Sequence, residues 1–99
     1  MITKEYCVGY ALHRGRMDIM ENILSVANEG ARKTRIMYSC NLSFKQLHAY
    51  LDLLVSIGLL KSVPPRTGEK SDSNIYETTK KGQAFIHAYR NLIDLIAIS

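Results

Sequence analysis

The sequence predicts a mainly helical α+β domain, and three observations carry that prediction. Apolar residues recur at helical spacing in successive stretches from Met17 to Ile57 and again from Phe85 to Ile96. A helix that stops near Cys40 is followed within three residues by the start of another. A polar Pro/Gly/Ser tract then separates two short β-forming runs ahead of the last helix. The order helix, helix, helix, hairpin, helix is the plan of a winged helix-turn-helix: three helices, a two-stranded hairpin wing and a C-terminal helix.

The first thirteen residues, MITKEYCVGYALH, place apolar side chains at Ile2, Tyr6, Val8, Tyr10 and Leu12, the alternation of a strand, although the segment is short enough to extend a helix. Residues 1–14 are therefore read as an N-terminal extension and 15–99 as the domain itself. From Gly15 to Asn28, Met17, Met20, Ile23, Leu24 and Ala27 mark a first helix, with Asp18 and Glu21 toward the positive end of its dipole. The second helix, Lys33 to Cys40, is short, and Ile36, Met37 and Tyr38 are expected to supply core contacts.

The third helix has a legible start. Ser43 with Gln46 three residues later forms a capping box, and Leu42 with Leu47 a hydrophobic staple. It runs to about Ile57, and Gly58 supplies a left-handed stop. On a wheel of about 100° per residue, Phe44, Leu47, Tyr50, Leu51, Leu54 and Ile57 form the expected core face. Lys45, Ala49, Asp52 and Ser56 point outward, flanked by Gln46 and His48. LLKSV and IYET read as strands around PPRTGEKSDSN, the wing loop, and the final helix from about Thr79 carries Phe85, Tyr89, Leu92, Ile93 and Ile96 on one stripe.

Composition narrows the function classes. The 99 residues are 46% hydrophobic, enough for one core and no second domain. Thirteen Lys and Arg against nine Asp and Glu give a net charge of +4, which favours an acidic partner such as nucleic acid. Cys7 and Cys40 lack metal-site spacing, so no metal and no cofactor are expected. No apolar run approaches the ~20 residues of a membrane span. The start lacks a secretory pattern, so a cytoplasmic, nucleoid-associated protein is expected. No nucleophile–base, paired-carboxylate or phosphate-loop motif is visible, and no small-molecule effector is indicated.

If the partner is duplex DNA, helix 43–57 is the natural reader, because one helix fits the major groove with its N-terminal residues nearest the base edges. Lys45 can meet guanine or a phosphate, Gln46 can pair bidentately with adenine, and Ala49 permits close approach or contact with a thymine methyl. Ser43 and His48 border that surface, while Asp52 is repelled by phosphates, so only the first half of the helix is expected to enter. Arg32, Lys33, Thr34 and Arg35 open the second helix, where side chains and free N–H groups can hold a phosphate. In the wing, Arg66 and Lys70 can reach a backbone or minor groove, although Glu69 and Asp72 dilute their charge. Lys80 and Lys81 open the last helix against its dipole and are read as solvated. His13 and His87 are read as structural or surface residues. The plain alternative for each charged group is a solvated face.

GARKTRIMYSCNLSFKQLHAYLDLLVSIGLL, followed by YETTKKGQAFIHAY, resembles the small archaeal winged-helix DNA-binding proteins typified by the ten-kilodalton Sulfolobus protein. Its more specific parts are Lys33-Thr34-Arg35-Ile36-Met37-Tyr38, Asn41-Leu42-Ser43 and Thr79-x-Lys81-Gly82. The resemblance implies a DNA-binding domain without catalysis that dimerises through its last helix. The apolar ending agrees: Leu92, Ile93 and Ile96 can be spent on the core, but Leu95 and Ile98 point elsewhere. The last helix, through Leu92, Leu95, Ile96 and Ile98, is thus the expected homodimer surface with Tyr10 and Leu12 as helpers, the alternative being that this helix packs back onto the first one. The competing class is a winged-helix module that binds another protein instead of DNA.

Overall fold

The computed structural model describes residues 15–64 and 74–96. Tyr10, Leu12, the N-terminal strand or helix extension, the wing residues Arg66 and Lys70, and Ile98 lie outside the described residues. The chain folds as α1 (Arg16–Val26), a 3-10 turn (Ala27–Glu29), β1 (Ala31–Arg32), α2 (Lys33–Ser39), α3 (Phe44–Ser56), β2 (Leu60–Val63), β3 (Ile75–Thr78) and α4 (Lys80–Ile96). This is the winged-helix plan, with one addition. The expected two-stranded hairpin is a three-stranded antiparallel sheet in the order β1-β3-β2, in which Ala31 pairs with Tyr76 and Leu60 with Thr78.

Each boundary has a local cause. The Asp18 carboxylate accepts the Gly15 N–H at 3.1 Å and closes the first turn of α1. Between α2 and α3, Asn41 takes a left-handed φ of 55°, which Asn tolerates better than most side chains and which turns the chain in three residues. Gly58 at φ 85° ends α3, as the sequence predicts.

One core serves every element. Ile23 and Leu24 of α1, Ile36 of α2, Leu47 and Leu54 of α3 and Leu60 of β2 are fully buried, joined by Ile19, Ala27, Leu51 and Ile86. Burying each large aliphatic side chain contributes on the order of 1.5–3 kcal/mol, so the fold rests on these leucines and isoleucines. Six apolar residues that helical spacing assigns to an inward face are instead exposed: Met17, Tyr38, Phe44, Ile57, Leu92 and Ile96. A seven-residue α2 has under two turns to offer the core and buries Ile36 with Met37 beside it, which leaves Tyr38 outside. Phe44 is the first residue of α3, so its side chain leans back beyond the helix end, away from the core.

The stretch Thr79-x-Lys81-Gly82 joins the last helix to the end of α3. Thr79 Oγ1 donates to the Gly58 carbonyl at 2.6 Å and accepts the Gly82 N–H at 3.0 Å, while its own N–H reaches the Leu59 carbonyl at 3.0 Å. Lys81, read from sequence as solvated, donates from Nζ to the Ile57 carbonyl at 2.8 Å and so complements the negative end of α3. Gly82 is buried so close to Leu59 that a Cβ there would overlap the Leu59 carbonyl oxygen.

Helix α4 then runs antiparallel to α1. Gln83 Nε2 meets Asn28 Oδ1 at 3.3 Å, and two turns on Arg90 donates from Nε and Nη2 to Glu21 Oε2 at 3.2 and 3.1 Å. By that register Met17 lies at the same end as Leu92, Leu95 and Ile96. These three are 47%, 82% and 63% exposed, so the stripe that begins at Phe85 leaves the core before the helix ends.

Candidate nucleic-acid interface

Helix α3 carries the candidate surface because its leucines fix its rotation. With Leu47, Leu51 and Leu54 turned inward, Lys45, Ala49, Asp52 and Ser56 lie on the opposite side, and all four are exposed. The capping box forms as expected: Ser43 Oγ accepts the Gln46 N–H at 3.1 Å, and Gln46 Oε1 accepts the Ser43 N–H at 3.0 Å. That geometry limits Gln46. A bidentate contact with adenine needs both the amide oxygen and the amide nitrogen, and the oxygen is committed to the cap. Nε2 remains a donor for guanine or a phosphate, whereas reading adenine would require the box to open.

His48 and Phe44 exchange the places expected of them. The His48 ring is half-buried and packs edge-on against Phe44, with ring centroids 4.3 Å apart at 69°. Its Nε2 is buried without a hydrogen-bond partner. The aromatic group presented to solvent at the start of α3 is Phe44, which is 67% exposed.

Arg16 is the residue the sequence reading missed. It is exposed at the first position of α1 and lines a hollow of about 240 Å³ together with Ala49, Tyr50 and Leu53 of α3. The signal that points to it is electrostatic: a cation in a helix's first turn opposes the dipole at a cost of about 0.3–1 kcal/mol, so local preference does not explain its position.

The basic start of α2 is only partly aligned with α3. Arg32 is the N-cap and gives the helix no side-chain cap, Lys33 is half-buried, and Thr34 and Arg35 are exposed. Arg35 opens onto a separate hollow of about 310 Å³ shared with Ser25, Asn28, Glu29 and Ser39, none of which borders α3 in the Arg16 hollow. On the other flank of α3, Asp52, Val55 and Ser56 form a groove with Ser62 and Tyr76 of the sheet. Acidic Asp52 thus faces the root of the wing, where Lys61 and Glu77 pair at 3.5 Å and Asn74 Nδ2 donates to Ser62 Oγ at 2.9 Å. The cation-bearing part of the surface is the first half of α3 with Arg16. Among the described residues no group of His, Cys, Asp and Glu could hold a metal ion, and no helix is long and apolar enough to cross a membrane.

The profile of the winged helix-turn-helix family matches residues 13–97. The chain is 31% identical to Sso10a-2, a DNA-binding protein from Sulfolobus solfataricus, with a TM-score of 0.71 over 83% of this chain and 81% of that one. It is 34% identical over 70 residues to an uncharacterized protein of Methanocaldococcus jannaschii, spanning 65% of this chain and 72% of that protein. A cysteine-to-serine mutant of MarR from E. coli, solved with operator DNA, is similar in fold at 18% identity and a TM-score of 0.65. That likeness covers 90% of this chain and 61% of the MarR chain.

Proposed function

Because the chain belongs to the winged helix-turn-helix family, we propose that it binds double-stranded DNA with the first half of α3 in the major groove, as a homodimeric transcriptional regulator without catalytic activity. The observation that carries this is the outer face of α3. A cation, Lys45, and a small residue, Ala49, stand exposed on the two turns after the cap, with Arg16 alongside and the acidic group, Asp52, displaced toward the sheet. The similarity to Sso10a-2, described as a DNA-binding protein, supports the same reading.

In this proposal Lys45 and the Gln46 amide N–H approach base edges, while Ser43, Thr34, Lys33 and Arg32 would set register through phosphate contacts. Leu92, Leu95 and Ile96, with Met17 at the same end, form the exposed apolar surface on which a second copy would dock. Two such copies would present two reading helices to a palindromic site.

The test is a fluorescence-anisotropy titration of mixed-sequence duplex across roughly 50–200 mM salt. It compares wild type with Lys45→Ala and with Gln46→Glu, which keeps the capping oxygen but adds a negative charge. Binding that weakens steeply with salt, and further in both variants, is expected. Salt-insensitive or undetectable binding at the lowest salt would transfer the surface to a protein partner.

A further inference from the structure

We propose that Phe44 reads a thymine methyl group at the floor of the major groove, with His48 as the post that holds its ring in place. This rests on the DNA-binding reading of α3 and names a specificity it does not contain.

Phe44 is the first helical residue after the Ser43 cap, and in an α-helix a side chain leans toward the N-terminus. Its ring therefore extends from the tip of α3, the end that a reading helix directs at base edges. It is 67% exposed although it is a large apolar group, and it is not among the described side chains packed on the core. A flexible phenyl ring in water would be a poor reader. Here the His48 ring, one turn later, meets it edge-on at 4.3 Å, so part of the ordering cost of binding is met before DNA arrives.

The chemistry that fits an apolar ring in the major groove is the C5-methyl of thymine, the one apolar group on the base edges there. Cytosine presents a bare C5–H in its place and an amino donor that a phenyl ring cannot satisfy. Lys45, adjacent in sequence, offers its ammonium to a neighbouring guanine or phosphate, so the pair would read an apolar and a polar feature side by side.

The experiment selects duplexes from a random pool with wild-type protein, then titrates the selected duplex and a copy in which deoxyuridine replaces thymine at one position at a time. The expected result is one position per half-site where loss of the methyl weakens wild-type binding about fourfold, the equilibrium equivalent of one CH2-sized apolar contact. Phe44→Ala should bind the thymine duplex more weakly and lose the thymine/deoxyuridine ratio, whereas Phe44→Leu should keep much of it. Lys45→Ala should weaken binding and leave the ratio intact. If every thymine is replaceable without loss, or if Phe44→Ala keeps the ratio, the assignment is wrong while DNA binding stands. If wild type selects and binds no duplex, the DNA-binding reading itself fails. Thermal melting of each variant distinguishes misfolding, which the exposure of Phe44 makes an unexpected outcome.

Discussion

Replacing Gly82 by alanine tests whether the joint between α3 and α4 is as tight as its geometry indicates. Two opposed terms decide the sign. Alanine is the better helix former, worth at most about 1 kcal/mol at this position. Against it, the new methyl would overlap the Leu59 carbonyl oxygen and stand 2.6 Å from Thr78 Cγ2, and the first of these is backbone that cannot rotate away. Relief requires α4 to move off Leu59, which lengthens the 3.0 Å bond from the Thr79 N–H to the Leu59 carbonyl and the 2.6 Å bond from Thr79 Oγ1 to the Gly58 carbonyl. Overpacking of this kind costs about 1–3 kcal/mol, and each weakened hydrogen bond about 1 kcal/mol more. The net expectation is a loss of about 2–5 kcal/mol. For a domain of this size that is a fall in Tm of roughly 4–8 °C per kcal/mol. Urea and thermal unfolding followed by far-ultraviolet circular dichroism measure it, with Ala84→Gly, at an exposed position of the same helix, calibrating the propensity term. A Gly82→Ala protein as stable as wild type, or more so, would refute the close-contact argument.

Three further outcomes follow from the geometry. Ser43→Ala should cost about 0.5–2 kcal/mol by leaving the Gln46 N–H uncapped, while Gln46→Glu, which preserves the box, should be nearly neutral in the same denaturant titration. A double-mutant cycle on Arg90→Met and Glu21→Gln should return a coupling of about 0.2–1 kcal/mol that shrinks with added salt, because Arg90 is largely exposed even though Glu21 is not. Leu95→Glu should leave the monomer folded and shift the assembly proposed here toward monomer in sedimentation equilibrium, since that side chain is 82% exposed and contributes nothing to the core.

Where the chain's local chemistry decides structure, the sequence is legible. The Ser43/Gln46 box, the left-handed stop at Gly58 and the leucine spacing of α3 place that helix within a residue of its observed limits. Strand β1 is not legible, because Ala31–Arg32 is too short to show a period and exists only by pairing with Tyr76 and Ile75, far along the chain. The wheel misplaced Phe44 for a related reason. Angle about the axis says nothing of position along it, and the end of a helix can have no neighbour on a face that is buried one turn later. Lys81 and Gly82 could be recognised only as a motif, since their partners Ile57 and Leu59 are brought to them by the fold. Arg16 has the same character: its relation to Ala49 depends on α1 crossing α3.

These placements divide α3 into two parts under different constraints. Its last turn is held by Lys81 on the Ile57 carbonyl and Thr79 on the Gly58 carbonyl, and its middle by Leu47, Leu51 and Leu54 in the core. Its first turn is held by the box between Ser43 and Gln46 and by the Phe44–His48 contact, both local to the helix. Changes at Phe44 and Lys45 therefore leave the core leucines of α3 untouched, and surface substitutions of this kind fall within about ±0.5 kcal/mol of neutral. A double replacement of Phe44 and Lys45 should alter which duplex is selected while leaving Tm nearly unchanged, whereas Leu47→Ala, fully buried, should cost about 2–5 kcal/mol. On the proposed function, the end of α3 that would read DNA is free to vary on a scaffold anchored at its other end, the physical condition under which one fold can serve different DNA sequences.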